Sequence, residues 1–203
     1  MILVLAPHTD DAEIGCGGSL MKWKEEGETI KVIAFSRCED SIPNGFDKDA
    51  TEKEFIKNMD FIGAERKIMS LRVRRFPEYR QEILQCLKNQ EKPDLVVCPS
   101  LNDLHQDHRT IAEEAVRAFR ECASIISYDL PYSTMNFNAN MYNKLEERHI
   151  KNKHIMVNNY KSQVAKFPEY FSKEYIYGNA QAHGMKIKKD YAETFEVVRW
   201  LIH

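Results

Sequence analysis

The amino-acid sequence predicts an α/β fold: a Rossmann-like, mostly parallel sheet with helices on both faces. Three observations point there. The runs at 2–6 (ILVLA), 30–35 (IKVIAF) and 94–98 (DLVVC) are almost wholly apolar, with no alternating polar face. Strands buried on both sides read this way. Segments of helical spacing lie between these runs, and a βαβα rhythm needs crossover helices over a parallel sheet.

The elements follow in order. Strand 2–6 leads into a helix over 14–26 (IGCGGSLMKWKEE), ended by Gly27. After strand 30–35, a helix over 52–62 places Phe55, Ile56, Met59 and Ile62 on one side, with Gly63 as its stop. A short strand is expected at 67–71. A helix over 78–89 turns Ile83, Leu84 and Leu87 inward, and Pro93 follows its end. Strand 94–98 opens into the loop PSLNDLHQD. A helix over 109–121 comes next, with Ile111, Ala112, Ala115, Val116 and Phe119 on its apolar side, then a strand at 125–129. Beyond Pro131 the pattern weakens. YSTMNFNANMYNKL reads as a surface excursion and 153–166 as a helix. Residues 190–202 fit neither period.

With 203 residues, the chain suits one domain spanning 1–203. Hydrophobic residues make up 43% and charged residues 30%, and the net charge of −2 supplies no global basic field for nucleic acid or an anionic membrane. The basic run of Arg72, Arg74 and Arg75 reads as a solvated face. Five cysteines without a CxxC pair argue against a disulfide framework and a zinc finger. The opening MILVLA is too short for a signal segment, and no stretch is long enough to span a bilayer. These features lead to a cytoplasmic protein with no membrane partner. The oligomeric state is left open, self-association included.

Two polar clusters fall where strands end. PHTDD follows strand 2–6, and HQDH follows strand 94–98 after a short loop. In open α/β sheets, ligands bind outside the carboxyl ends of the strands. The clusters, distant in sequence, are therefore expected to meet. Asp10 and Asp11 repel each other unless a cation is present. Two imidazoles and a carboxylate make a metal site with open positions, suited to zinc and equally to iron(II). Metal-assisted hydrolysis also needs a carboxylate as base and a histidine to stabilise an oxyanion or protonate a leaving amine. A second carboxylate would hold that histidine's other nitrogen. Spacing alone does not say which residue takes which role.

GCGG at 15–18 invites a dinucleotide reading. The fingerprint fails, because its third glycine falls on Leu20, and Asp10, Asp11 and Glu13 would repel a pyrophosphate. The glycines instead allow close packing and close backbone approach.

PHTDDAEIG and HQDH resemble the two motifs, roughly (P/A)HPDDExxG and HPDH, of the LmbE-like or PIG-L family of zinc-dependent N-acetylglucosaminyl deacetylases. Weaker likenesses run on through the IG of FIGAER, KHIMVNNYKSQ, NAQAHG and YAETF. The resemblance implies zinc held by His8, Asp11 and His108. It implies Asp10 as general base, His105 as the oxyanion-stabilising or amine-protonating residue, and Asp107 orienting His105. There are departures. Thr9 replaces a common proline, and Ala12 a common glutamate, with Glu13 beside it. Thr51 and His183 stand where the family often carries arginine, which puts the usual sugar contacts in doubt.

The expectation is a zinc-dependent hydrolase that removes acetyl from an N-acetylated amino sugar or its conjugate. Arg37, at a strand end, is the candidate substrate contact, with a structural salt bridge as its alternative. Tyr132, Asn136 and Asn140 are further candidates for a sugar pocket. Two alternatives stand beside this: an amidase on a non-sugar or thiol-conjugate acyl amine, and a metal-free sugar- or nucleotide-binding module.

Overall fold

The computed structural model describes residues 1–202. Its strands are β1 (Ile2–Ala6), β2 (Ile30–Ala34), β3 (Glu65–Ile68), β4 (Leu95–Pro99), β5 (Ser124–Tyr128), β6 (Met141–Leu145) and β7 (Tyr191–Arg199). They form one sheet in the order β3-β2-β1-β4-β5-β7-β6. The first five are parallel, and β7 and β6 join antiparallel beyond β5. The chain runs outward from β1 through β2 to β3, then returns to β4 on the other side of β1. That reversal places a switch point between β1 and β4, where such sheets bind ligands.

The helices are α1 (Asp11–Glu25), α2 (Ala50–Ile62), α3 (Arg80–Lys88), α4 (Gln106–Phe119), α5 (Glu147–Val157), α6 (Lys161–Lys166) and α7 (Lys173–Lys186). Val4, Val32 and Ala34 pack on one side of the sheet with Leu20 of α1, Phe55 of α2, Ile150 of α5 and Ile176 of α7. Leu3, Leu5 and Ile33 point to the other side, toward Ile83 and Leu87 of α3 and Ile111, Ala115 and Phe119 of α4. Both faces of β1 and β2 are covered, which is why their sequences show no polar period. No helix among the described residues is long and apolar enough to cross a membrane.

Several boundaries differ from expectation, each for a physical reason. Helix α1 begins at Asp11 rather than 14, so Asp11 and Glu13 lie in its first turn, where the helix dipole favours negative charge. Helix α4 begins at Gln106 rather than 109, because His105 caps it: its Nδ1 accepts the Asp107 N–H at 3.1 Å. Strand β3 lies at 65–68, not 67–71. As an edge strand it carries Glu65, Arg66 and Lys67 toward solvent, without an apolar run. The expected helix at 153–166 is two helices, α5 and α6, broken around Tyr160. Strand β6 occupies part of the expected surface excursion. Helix α7 buries only Ile176, Ala180 and Gly184, a narrow stripe of mostly small residues. Strand β7 resolves the ambiguity of 190–202. Ala192–Phe195 are buried on both faces while the later residues are half-buried, and its register shifts opposite Ile125/Ile126.

The glycine run lets α1 press against its neighbours. A Cβ on Gly15 would lie 2.3 Å from the Tyr128 ring. That ring is fully buried and anchored by its hydroxyl, which donates to the Leu5 carbonyl at 2.9 Å. A Cβ on Gly18 would lie 2.7 Å from Leu145. The helix breaks at Cys16 (φ −142°, ψ 23°). Past the break, the Gly18 and Ser19 N–H groups donate to the buried Glu193 carboxylate at 3.0 and 2.6 Å. Lys153 completes that cluster with a 2.6 Å ion pair.

Gly15→Ala is expected to destabilise the fold by about 1–3 kcal/mol through overpacking. Gly178→Ala, in the exposed interior of α7 with nothing within 4 Å of the added carbon, is expected to stabilise it by about 0.5–1 kcal/mol. Urea unfolding of both variants measures the two effects.

Candidate metal centre

Both polar clusters leave strands that flank the switch point. Strand β1 ends at Ala6, and α1 starts at Asp11, so His8, Asp10 and Asp11 fall on one tight turn. Asp10 occupies the cap position of α1 without capping it; its side chain lines a cavity above the sheet. Strand β4 ends at Pro99, and a short loop delivers His105 to the cap of α4, with Asp107 and His108 in its first turn.

Three donor atoms converge. His8 Nδ1 lies 3.2 Å from Asp11 Oδ2, His108 Nε2 lies 3.1 Å from His8 Nδ1, and His108 Nε2 lies 3.4 Å from Asp11 Oδ2. Ligands held at zinc distances in tetrahedral directions sit roughly 3.3–3.4 Å from one another. The residues present therefore fit a divalent cation. The three histidines His8, His105 and His108 also bring ligand atoms within 4.8 Å of one another. The set with Asp11 is tighter, and it mixes nitrogen with a carboxylate.

Two further carboxylates set the histidine tautomers. Asp107 Oδ2 lies 3.1 Å from His8 Nε2, and Asp103 Oδ2 lies 2.8 Å from His108 Nδ1. Each carboxylate draws the ring proton to the nitrogen it faces, leaving the other lone pair directed at the shared point. Asp107 was expected to orient His105. Its carboxylate instead faces His8 and also accepts the Arg74 and Phe76 N–H groups at 2.5 and 3.2 Å; only its backbone N–H reaches His105. The reason is helical geometry: with His105 at the cap, the side chain of Asp107 turns toward β1. Because His105 Nδ1 accepts that N–H, its Nε2 carries the ring proton.

The charges perturb one another. Burial works against a charged His8, but the Asp11 charge and hydrogen bonds to Asp107 and Asp11 overcome it and raise the pKa well above the ordinary value. Asp10 is pushed up to about 6 by burial and then by Asp11. For Asp11, burial is outweighed by His108 and His8, and its pKa falls to about 2. His105 is lowered to about 4 by burial first, then by His108 and His8, so it is neutral near pH 7.

The cavity holds about 370 Å³, in the usual range for small-molecule sites. His8, Asp10, Asp11, His105 and His108 line its polar part, and Tyr132, Phe167 and Tyr170 form an aromatic wall. The Tyr132 ring lies 5.5 Å from Phe167 and 6.0 Å from Tyr170.

Of the substrate-contact candidates, Tyr132 lines this cavity. Arg37 does not: it pairs with Glu52 at 3.5 Å and sits in a separate hollow with Asp40 and Arg72. The structural alternative for Arg37 is the one observed. The Asn140 side chain accepts the Val197 N–H at 2.8 Å, a tie between strands, and Asn136 is not among the lining residues. Buried Thr51 donates to the Arg37 carbonyl at 2.7 Å, and His183 faces Thr194 outside the cavity.

Some residues of the site escaped the sequence reading. Asp103 accepts the His105 N–H at 2.8 Å and the Ser133 hydroxyl at 3.0 Å besides holding His108. Its signal was an acid two residues before a histidine at a strand end. Buried Glu13 accepts from the Asn58 amide at 3.0 Å and lies 2.7 Å from the Tyr160 hydroxyl, which is also within hydrogen-bond reach of the Thr9 carbonyl. Burial pushes the Glu13 carboxyl up to about 8. This group braces the turn that carries His8 and Asp10.

Comparison with known proteins adds independent findings. Residues 3–119 match the family model PIG-L, described as GlcNAc-PI de-N-acetylase. The chain is 22% identical over 170 residues to the uncharacterized deacetylase YaiS of Escherichia coli K12, covering 79% of this chain and 90% of that protein. Its fold is similar to N,N'-diacetylchitobiose deacetylase from Pyrococcus horikoshii (TM-score 0.79, 19% identity, 98% and 83% of the two chains). It is equally similar to the 4-carboxy-2-hydroxymuconate hydratase GalB of Pseudomonas putida KT2440 (TM-score 0.79, 16% identity, 100% and 97%). At these identities the two structures speak to fold alone.

Asp103→Asn and Asp107→Asn are each expected to weaken zinc binding about 10–100-fold, the usual effect of losing a carboxylate that supports a ligand histidine. A competition titration against a chromophoric chelator reads this. Unchanged affinity in both variants would detach the two carboxylates from the site.

Proposed function

The chain belongs to the PIG-L family, GlcNAc-PI de-N-acetylase by description, and from that premise we propose that it is a zinc-dependent hydrolase removing acetyl from an N-acetylated amino sugar or its conjugate. The observation that carries this reading is the convergence of His8 Nδ1, Asp11 Oδ2 and His108 Nε2 at 3.1–3.4 Å, with Asp10 and His105 beside them on one cavity. The fold by itself does not carry it, since a hydratase shares that fold.

His8, Asp11 and His108 would hold the ion. When bound, zinc supplies Lewis-acid polarisation of the amide carbonyl and acidifies water. Asp10 takes the proton as water attacks the acetyl carbon. The carbon–oxygen bond forms, and charge develops on the carbonyl oxygen. His105, neutral and protonated on Nε2, donates a hydrogen bond to that oxygen. As the carbon–nitrogen bond breaks, Asp10 returns its proton to the departing amine, leaving acetate and a free amino sugar. In this reading His105 is an oxyanion donor, and Asp107 acts on His8 rather than on His105.

The aromatic wall supports a sugar ligand, because sugar C–H faces stack on aromatic rings while hydroxyls meet polar groups. The reading treats 1–203 as one catalytic domain. A cytoplasmic location belongs to the same proposal and accords with five free cysteines.

A panel of N-acetylated amino sugars and non-sugar acyl amines, scored for amine release, tests the reaction. Release from the sugars is expected, with at least a ~10²–10⁴-fold loss of kcat in Asp10→Asn at unchanged metal content. Wild-type turnover in that variant would remove Asp10 as the base. Release from non-sugar amines alone would favour the amidase alternative.

A further inference from the structure

One buried amide on the wall of the catalytic cavity takes no part in the proposed reaction. Gln163 lines that cavity together with Thr9 and Asp10, yet it is only 8% exposed. Its Nε2 donates to the hydroxyl of buried Ser162 at 3.3 Å. Its Oε1 meets no donor among the described residues. A buried acceptor without a partner is uncommon in native folds and marks a place where a ligand completes the bonding.

Gln163 is held from two sides. It lies in the first turn of α6, whose Lys161 N–H donates to Glu54 of α2 at 2.8 Å. Its own N–H donates to the Tyr160 carbonyl at 3.0 Å. The Tyr160 hydroxyl lies 2.5 Å from the Thr9 carbonyl, in the turn that carries His8 and Asp10. One residue therefore ties the amide to the reaction centre. A group seated in advance gives up little freedom when it engages a ligand.

The scissile group of an N-acetylated substrate has one donor, the amide N–H, and one acceptor, the carbonyl oxygen. In the proposed reaction the carbonyl oxygen goes to the ion and to His105. The N–H needs an acceptor of its own. Asp10 must receive a proton from water, and Asp11 is directed at His8 and His108. The Ser133 hydroxyl donates to Asp103. Gln163 Oε1 is neutral and open. An N–H held there leaves the lone pair that forms on nitrogen free to meet the proton carried by Asp10.

We propose that Gln163 is a specificity residue whose Oε1 accepts the N–H of the scissile acetamide, so that the site takes secondary N-acetyl amides and rejects acetate esters and N-alkylated amides. This rests on the deacetylase reading and narrows its substrate class. In an ester, oxygen replaces the N–H, and its lone pairs face the Gln163 oxygen. A site built to bond a substrate N–H discriminates strongly against an analogue without one, because the buried group is left unpaired.

The test assays the zinc-loaded enzyme with three methyl glucosides. They are alike except at carbon 2, which carries acetamido, N-methylacetamido or acetoxy. Wild type is expected to turn over the acetamido compound at least about a hundredfold more efficiently, in kcat/KM, than the N-methyl one. Gln163→Leu is expected to lose about tenfold or more on the acetamido compound while acetoxy turnover holds or rises. Gln163→Glu keeps an oxygen acceptor and is expected to lose less. A merely structural residue would lower amide and ester turnover together. Calorimetry on Asp10→Asn reads binding apart from turnover: the acetamido compound is expected to bind about tenfold tighter than the acetoxy one. The wild-type ratio and this binding ratio serve if Gln163→Leu fails to fold. Equal losses on amide and ester, unchanged amide turnover in Gln163→Leu, equal binding of amide and ester, or a wild type indifferent to N-methylation would overturn the assignment. Failure of the deacetylase reading shows separately, as no amine release by wild type from any N-acetylated compound, and takes this assignment with it.

Discussion

Three electron-pair donors pointed at one another cannot rest together in a folded protein without positive charge between them. His8 Nδ1, Asp11 Oδ2 and His108 Nε2 lie within 3.1–3.4 Å pairwise. Asp103 and Asp107 hold the far nitrogens of both rings, so the inner lone pairs are not free to turn away. The arrangement suits a cation, and the rise in the His8 pKa, driven by Asp11 and Asp107, shows how strongly these acids favour positive charge there. Much of the surrounding structure supplies this convergence. The Asp103 carboxylate ties the loop after β4 to Ser133, and Asp107 ties α4 to the loop after β3.

The fold brings the parts together at modest cost. Strands β1 and β4 are neighbours at the sheet's switch point, so two motifs about a hundred residues apart leave adjacent strands in the same direction. Helix α1 must then approach β5 closely, and Gly15 against Tyr128 permits it. The break at Cys16 would leave N–H groups unpaired in the interior. Glu193 accepts two of them, and Lys153 neutralises it. Glu13, high in pKa and bonded to Tyr160 and Asn58, steadies the turn from beneath. Glu193 and Lys153 sit where α1, α5 and β7 meet, Glu13 ties α1 to Asn58 of α2 and to Tyr160 after α5, and each of these groups restrains how α1 is seated beside the site.

The parallel half of the sheet was legible in the amino-acid sequence because burial on both faces leaves unbroken apolar runs. The antiparallel half was not. β6 at one edge is short and half polar, and β7 changes from two-sided to one-sided burial along its length. Helix α7 hides its core contacts in Ala180 and Gly184, residues too small to mark an apolar face. The polar residues that meet at the site were also visible, since chemistry concentrates at strand ends. Their pairings were not. Which nitrogen Asp107 faces depends on where α4 begins, and that start is set by the side chain of His105 acting as a cap. Arg37 looked like a contact because it follows β2, but Glu52 of α2 draws it aside. Spacing carries no information about such lateral contacts.

Metal content of the purified protein, after zinc loading and desalting, tests the centre most directly. About one zinc per chain in the wild type, and none retained in His108→Ala, is the expected result. A wild-type protein that retains no zinc under those conditions would contradict a metal centre built on His8, Asp11 and His108.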